Sequence, residues 1–325
     1  MDLKVFELEF AYAHGRPEAR ADFRVEWDDF VVDEDLGFTP EGAGEHIYLR
    51  IQKRGVNTEW LAKQLARFAE VKLVDVGFCG MKDRHAKTTQ WFSIYKPKGE
   101  VKPWGDFADF VGDDVAILQV TRGSKKLRRG DHAANRFAIR LRNLTLSPDD
   151  MEGRLRLVQA LGVPNYFGEQ RFGHGRQNLA GAAAWLADMR AVNPKSNRSI
   201  WMSAMRSFVF NRVLHQRILS AALGDIASMS GPLWGRGHLT GDQAHWELSC
   251  LDGLANILNG LEHCGLSQER RKLWLDLAGF EWELDDAGLL LRFTLGAGEY
   301  ATAVLRELAC VTDRSVKSHA VSLEG

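Results

Sequence analysis

The sequence is poor in cysteine. Its four, Cys79, Cys250, Cys264 and Cys310, form no CxxC pair, and only His263 adjoins one of them. Zinc ligands would have to come from unrelated segments, so buried free thiols are the expectation. No apolar run approaches the roughly 20 residues a membrane helix needs. The opening MDLKVFELEFAYAHGRPEAR lacks a signal-peptide pattern, which points to the cytoplasm. Cofactor signatures are missing too. There is no GxxxxGKS/T phosphate loop, no GxGxxG that follows a strand and opens a helix, no HExxH and no GxSxG. An excess of basic charge is also absent. The net charge is −1, which does not announce a nucleic-acid binder. A local basic face would still suffice for binding.

What is present is an ordinary globular composition over 325 residues, 45% hydrophobic and 26% charged, enough for about two domains. No internal repeat or low-complexity tract occurs. The texture changes in three blocks. Residues 20–145 carry short strand-like runs: FRVEW, DDFVVDE, HIYLRIQ, VKLVDVGF, TTQWFSIY, DVAILQVTR and RFAIRLRNL. In the last, Phe137, Ile139 and Leu141 share one face, and Ala138, Arg140 and Arg142 the other. One helix interrupts them, capped by Asn57 or Thr58, with Leu61, Leu65 and Phe68 as its apolar stripe. Residues 150–277 read as helical, including Met151, Leu155, Val158 and Leu161 before a stop at Gly162. LAGAAAWLADMRA, IWMSAMRSFVFNRVLHQRILSAAL, LDGLANILNGLEHC and SQERRKLWLDLAG follow. Strand texture then returns with FEWEL and LLLRFTL, ahead of a glycine loop and a short helix, ATAVLRELA. Strands, helices, then strands suggest an α+β domain with a helical insertion, and crossings near 145–165 and 278–290. A single mixed domain is the alternative.

Three stretches can carry chemistry. In GFCGMKDRHAKTTQW, residues 77–91, one acid, Asp83, sits among Lys82, Arg84, His85 and Lys87. A surface turn would look similar. However, Gly77 and Gly80 would let the chain bend sharply after an apolar strand, and loops at strand ends collect functional groups. The surrounding bases would attract a polyanion to a carboxylate nucleophile. In TRGSKKLRRGDH, the bases Arg122, Lys125, Lys126, Arg128 and Arg129 fall within eight residues, either as an anion-binding patch or as a solvated hairpin tip. VPNYFGEQRFGHGRQN, residues 163–178, interleaves Tyr166, Phe167 and Phe172 with Arg171. That suits base stacking and phosphate contacts, or equally a packed connector. The Arg206, Asn211, Arg212 and Arg217 of the following helix read mostly as a solvated face.

Together these motifs resemble the TruD family of tRNA pseudouridine synthases over most of the chain. GFCGMKDRHAKTTQW is similar to that family's signature loop, and NYFGEQRFG to its second signature. FRVEWDDFVVDEDLGF, GAGEH, KRGVNT, RSFVFNRVL and LGAGEYATAVLREL follow the family's order. The resemblance implies a pseudouridine synthase catalytic domain with a mixed, mostly antiparallel sheet, over residues 1–152 and 290–325. It also implies a helix-rich insertion over 153–289. The implied reaction converts a uridine of tRNA, usually at position 13 in the dihydrouridine arm, to pseudouridine, with no metal or organic cofactor.

Matched residue by residue, the resemblance places the family's aspartate nucleophile on Asp83. It places the uridine pocket on Phe30, Asn135, Phe137 and Tyr300, with Lys53, Asn57, Lys82 and Gln90 nearby. Lys125, Lys126, Arg128, Arg129 and Arg171 are the expected RNA contacts. Ala134, Gly296 and Tyr300 depart from the family's usual Gly, Pro and Phe. Pseudouridine formation breaks the bond from ribose C1′ to uracil N1, turns the base and joins it through C5. A carboxylate can attack C1′, as in a retaining glycosidase, or act as a base on the sugar. The uridine must leave its stack, at a cost of a few kcal/mol. Without the resemblance, the rivals are a glycosidic-bond enzyme, for which the loop offers no second carboxylate, and an RNA-binding module without chemistry.

Overall fold

A computed structural model of the chain describes residues 6–98, 101–189, 197–220, 223–237 and 242–315. Two compact units emerge. Among the described residues, one takes positions 18–152, 277–299 and those from 309 onward. The other takes positions up to 17, then 153–276 and 300–308.

The first unit is a ten-stranded mixed sheet with helices. Its early strands are β1 (Arg20–Phe23), β2 (Phe30–Asp35), β3 (His46–Arg54), β4 (Val76–Phe78), β5 (Lys87–Tyr95), β6 (Val115–Gly123) and β7 (Ala134–Arg142). Helices α1 (Thr58–Phe68) and α2 (Phe107–Val111) lie between them in sequence, and α3 (Pro148–Leu161) spans the boundary between units. Four short strands of the second unit follow: β8 (Val163–Pro164), β9 (Ser230–Leu233), β10 (Glu269–Lys272) and β11 (Trp274–Leu275). The chain then returns to the sheet as β12 (Glu281–Asp285), β13 (Gly288–Gly296) and β14 (Cys310–Asp313). The order is β12-β13-β7-β2-β5-β3-β6, with β1 on β7 and β14, and β4 on β5. Among the described ladders of this sheet, β2–β5 and β1–β14 are parallel and the rest antiparallel. The fold is therefore α+β with a mostly antiparallel sheet, as expected.

Period-two patterning sets the register. Phe137 faces Phe293, and Ile139 faces Leu291 on β13 and Phe30 on β2. All five are buried. On the far side of the sheet order, Leu49 pairs with Phe92 and Ile47 with Ile94. Leu61, Leu65 and Phe68 of α1 pack with these four residues in one apolar cluster. Burying one such leucine stabilises by about 1.5–3 kcal/mol. Asn57 starts α1 by accepting from the Glu59 and Trp60 amides.

The second unit is mainly helical: α4 (Gln177–Ala187), α5 (Arg198–Ser220), α6 (Leu223–Ile226), α7 (Asp242–Ser249), α8 (Ala255–His263) and α9 (Ala301–Leu308). Leu179, Trp185, Phe208, Phe210 and Leu261 lie in its core.

Four expectations need correction. FRVEW is not a strand: β1 ends at Phe23, because Arg24 has a φ of +58°. VKLVDVGF is strand only from Val76, after a 3-10 turn at Leu73–Asp75. SQERRKLWLDLAG is not a helix. Its residues pair as β10 with β9 and as β11 with β8, so tertiary ladders override its helix-forming arginines and leucines. Finally, β12 hydrogen-bonds to β13 and so belongs with the sheet, as do residues from 277 on, while α9 and the described residues up to 17 join the helical unit. The ends of two expected helical runs, residues 190–191 and 221–222, lie outside the described residues. The cysteines are free thiols, with Cys79, Cys250 and Cys264 buried.

Candidate active site

The loop bearing Asp83 joins β4 to β5. Neither Gly77 nor Gly80 has a positive φ, so the expected sharp glycine bend is not what they provide. Gly77 instead permits a close approach. A Cβ there would stand 2.3 Å from the Leu127 carbonyl oxygen and 2.7 Å from Ser93 Oγ. The loop is pinned by groups from elsewhere in the unit. Thr58 Oγ1 accepts from the Lys82 amide at 3.1 Å and donates to Gln90 Oε1 at 3.0 Å. Gln90 Nε2 donates to the Gly80 carbonyl at 3.3 Å, and the Gly130 amide to the Cys79 carbonyl at 2.8 Å. Thr58 and Gln90 are fully buried, so these are fixed struts.

Asp83 reaches the surface. Its side chain is 46% exposed, whereas the guanidinium paired with it at 3.1 Å, from Arg24, is only 6% exposed. Arg24 also lies 3.5 Å from Asp313 and sits over the rings of Phe23 and Phe30, at 4.7 and 4.6 Å. Its left-handed backbone is uncommon for a residue with a side chain, and such strain, about 1–3 kcal/mol, concentrates at functional positions. Phe30 stacks on Phe137 at 6.1 Å between centroids, and Phe137 on Phe293 at 5.4 Å. The carboxylate, a buried cation and an aromatic wall are thus joined through one residue that sequence reading passed over.

Beneath the loop lies Lys53, 1% exposed. Its Nζ donates to the Val56 carbonyl at 2.8 Å and to the Asp83 carbonyl at 3.4 Å. Burial pulls its pKa down to about 8, against the opposing pull of Asp83. Lys82 also turns inward. Its Nζ lies 2.7 Å from Glu34 Oε2 and 2.6 Å from Asn135 Oδ1. The other oxygen of Glu34 accepts from the Trp91 amide at 2.9 Å. Asn135 Nδ2 meets His132 Nε2 at 3.1 Å. Glu34 was legible in principle: it shares the buried face of β2 with Phe30 and Val32, a carboxylate on an apolar stripe.

Glu34, Cys79 and His132 bring potential metal ligands within 4.8 Å of one another. The donor set does not favour a metal. Lys82 already supplies the positive partner of Glu34, and burial pushes the Cys79 thiol up to about 12, away from the thiolate a metal requires.

The other expected residues fall in two places. Lys125, Arg128 and Arg129 are exposed on the sheet unit, where Arg129 lies 3.8 Å from Glu59, and Lys126 bonds to the Val74 carbonyl. Arg171 and Tyr300 belong to the helical unit and bond to each other. Arg171 also donates to Ser203 Oγ at 3.0 Å, and Arg271 covers Phe167 at 4.3 Å. Tyr166, Phe167 and Phe172 are buried, so NYFGEQRFG is built as a packed segment rather than a stacking platform. The fully buried Asn211 holds Phe167 by its backbone amide and carbonyl, at 3.0 and 2.9 Å. Arg206 bonds to Leu233 and Ser267 carbonyls, and Arg217 stacks on Trp246 at 3.4 Å, so this helix face is tied down rather than simply solvated.

Comparison with known proteins finds relatives of this chain. The family model described as "tRNA pseudouridine synthase D (TruD)" matches residues 9–191. The chain is 44% identical to the tRNA pseudouridine synthase D of Cellvibrio japonicus, with 96% of each chain covered. It is 42% identical to that of Methylococcus capsulatus, covering 91% of this chain and 93% of the relative. A solved TruD-type structure from Methanosarcina mazei superposes with a TM-score of 0.68 at 20% identity, over 94% of this chain and 97% of that one, and so shares the fold. The chain belongs to the TruD family of tRNA pseudouridine synthases.

Proposed function

We propose that this protein isomerises a uridine of tRNA to pseudouridine, with Asp83 as the carboxylate that acts on the ribose. The observation that carries the reading is the Arg24–Asp83 pair. A buried, stacked guanidinium holds a half-exposed carboxylate at 3.1 Å, on a loop strutted from below. A group that must meet a ribose needs an open face and a fixed position, and Asp83 has both. The target is taken to be position 13 in the dihydrouridine arm, and the reaction to need no cofactor. The protein is taken to work in the cytoplasm.

The uridine leaves its stack before it can reach Asp83. Exposed Lys125, Arg128 and Arg129 are placed to offset that cost by pairing with phosphates. Phe30 and Phe137 wall the pocket, and Asn135 addresses the uracil edge with its amide. Arg171 and Tyr300, the remaining residues expected to meet RNA, bond to each other within the helical unit. Lys53, Lys82, Asn57 and Gln90 act by shaping the loop, since their side chains are committed to protein partners. The sheet unit is the catalytic domain, and residues 153–276 of the helical unit are the insertion.

The test uses unmodified tRNA transcript carrying tritium at uridine C5, because the C5 proton is lost to water. Wild-type protein should release tritium, and Asp83→Asn should bind the tRNA yet release none. Release by Asp83→Asn would remove Asp83 from the chemistry. Binding without release by the wild type would favour an RNA-binding module.

A further inference from the structure

One end of the Asn135 amide faces a group that can only donate. Lys82 Nζ lies 2.6 Å from Asn135 Oδ1 and is held there by Glu34, whose side chain has no exposed surface. An ammonium has no acceptor, so the amide oxygen must face it, and the NH2 must face away. There the NH2 meets His132 Nε2 at 3.1 Å. An NH2 has no acceptor either, so Nε2 must be the acceptor, and the imidazole proton must sit on Nδ1. Flipping the amide would set its NH2 against the Lys82 ammonium. Protonating His132 would set an N–H against the NH2. One assignment satisfies both hydrogen bonds.

We propose that His132 is a positioning residue: as the neutral Nδ1–H tautomer it locks the Asn135 amide, together with Lys82 and Glu34, in the orientation that receives the base. This rests on the reading above, in which Asn135 faces uracil. Uracil offers an N3–H donor beside a carbonyl acceptor. A locked amide presents its oxygen and its NH2 in one fixed order, and a flipped amide would present them reversed.

The surroundings of the imidazole agree. Burial, then Lys82 on the loop, lower its pKa from 6.5, while Glu34 on β2 and the adjacent Asp131 raise it. Cys79, the other loop group beside it, remains a neutral thiol. His132 Nδ1 is buried and has no partner among the described residues. An unmatched buried donor costs stability, and a residue kept only for packing would avoid it.

The first measurement is the imidazole tautomer, by long-range proton–nitrogen correlation spectra of the full chain during a pH titration. The Nδ1–H neutral form is expected at pH 7. The Nε2–H form, or the cation, would overturn the inference. The second is kinetic. His132→Leu removes the acceptor and should lower kcat about tenfold, the usual cost of an orphaned buried partner. His132→Gln should rescue most of that loss, since its carbonyl accepts in place of Nε2. It should also remove the acid-side loss of activity expected from protonation of His132, which burial displaces below the ordinary imidazole range, because an amide does not titrate there. Equal kcat in the Leu and Gln variants would refute the positioning role. The tautomer measurement does not depend on the reaction. A locked Nδ1–H tautomer in a protein that releases no tritium would leave the lock standing and sink the reaction assignment.

Discussion

Removing the Arg24 guanidinium should cost both activity and stability. Arg24→Met keeps most of the apolar stem and deletes the charge. It removes the 3.1 Å pair with Asp83, the looser 3.5 Å pair with Asp313, and the stacking on Phe23 and Phe30. Asp83 is 46% and Asp313 28% exposed, so water takes over much of the solvation of both carboxylates. Each such pair is worth about 0–1 kcal/mol. The two cation–π interactions add about 0.5–2 kcal/mol each. A net loss of roughly 1–3 kcal/mol follows, because the methionine stem still covers part of the rings. The effect on catalysis is of another kind. Asp83 keeps its backbone struts but is deprived of the group that aims its oxygen, and a displacement near 1 Å can cost about 10²-fold in rate. Single-turnover tritium release at saturating tRNA measures the rate, and urea unfolding measures the stability. Arg24→Lys should fall between wild type and Arg24→Met, since one amine cannot serve both Asp83 and Asp313. Wild-type kcat in Arg24→Met, or a loss confined to KM, would refute the reasoning.

Two further outcomes are expected. Lys53 has a folded pKa near 8 against 10.5 for the free side chain, so between these values the unfolded chain holds the extra proton. Wild-type stability relative to Lys53→Met should therefore rise as pH goes from 8 to 10.5, by at most about 3 kcal/mol. A pH-independent difference in urea midpoints would contradict the buried-amine reading. Neutralising Lys125, Arg128 and Arg129 together should flatten the salt dependence of tRNA affinity, while saturated kcat stays close to wild type. The log–log slope should shrink by about 0.7–0.9 for each phosphate that no longer meets a cation. An unchanged slope would place the RNA elsewhere.

Much of the fold was legible because it follows local rules. The alternation of Phe137, Ile139 and Leu141, the α1 stripe under its Asn57 cap, and the stop at Gly162 were all readable from spacing. SQERRKLWLDLAG was not, because its strands exist only through ladders to β8 and β9, which lie far away in sequence. Asp83 stood out as one acid among bases on a loop. Arg24, its ion-pair partner, lay 59 residues upstream in a stretch that read as strand. The aromatics of NYFGEQRFG fitted two readings equally, and only their burial separated them.

By itself the sequence determined the α+β class, the family and the loop that carries Asp83, because period, caps and motif spacing are encoded over a few adjacent residues. Tertiary structure alone decided what each charge does. Whether a lysine meets a phosphate or a buried carboxylate depends on which distant strand lies beneath it. Lys53, Lys82 and Arg171, all basic and alike in the sequence, were turned by that choice toward a backbone carbonyl, Glu34 and Tyr300 respectively.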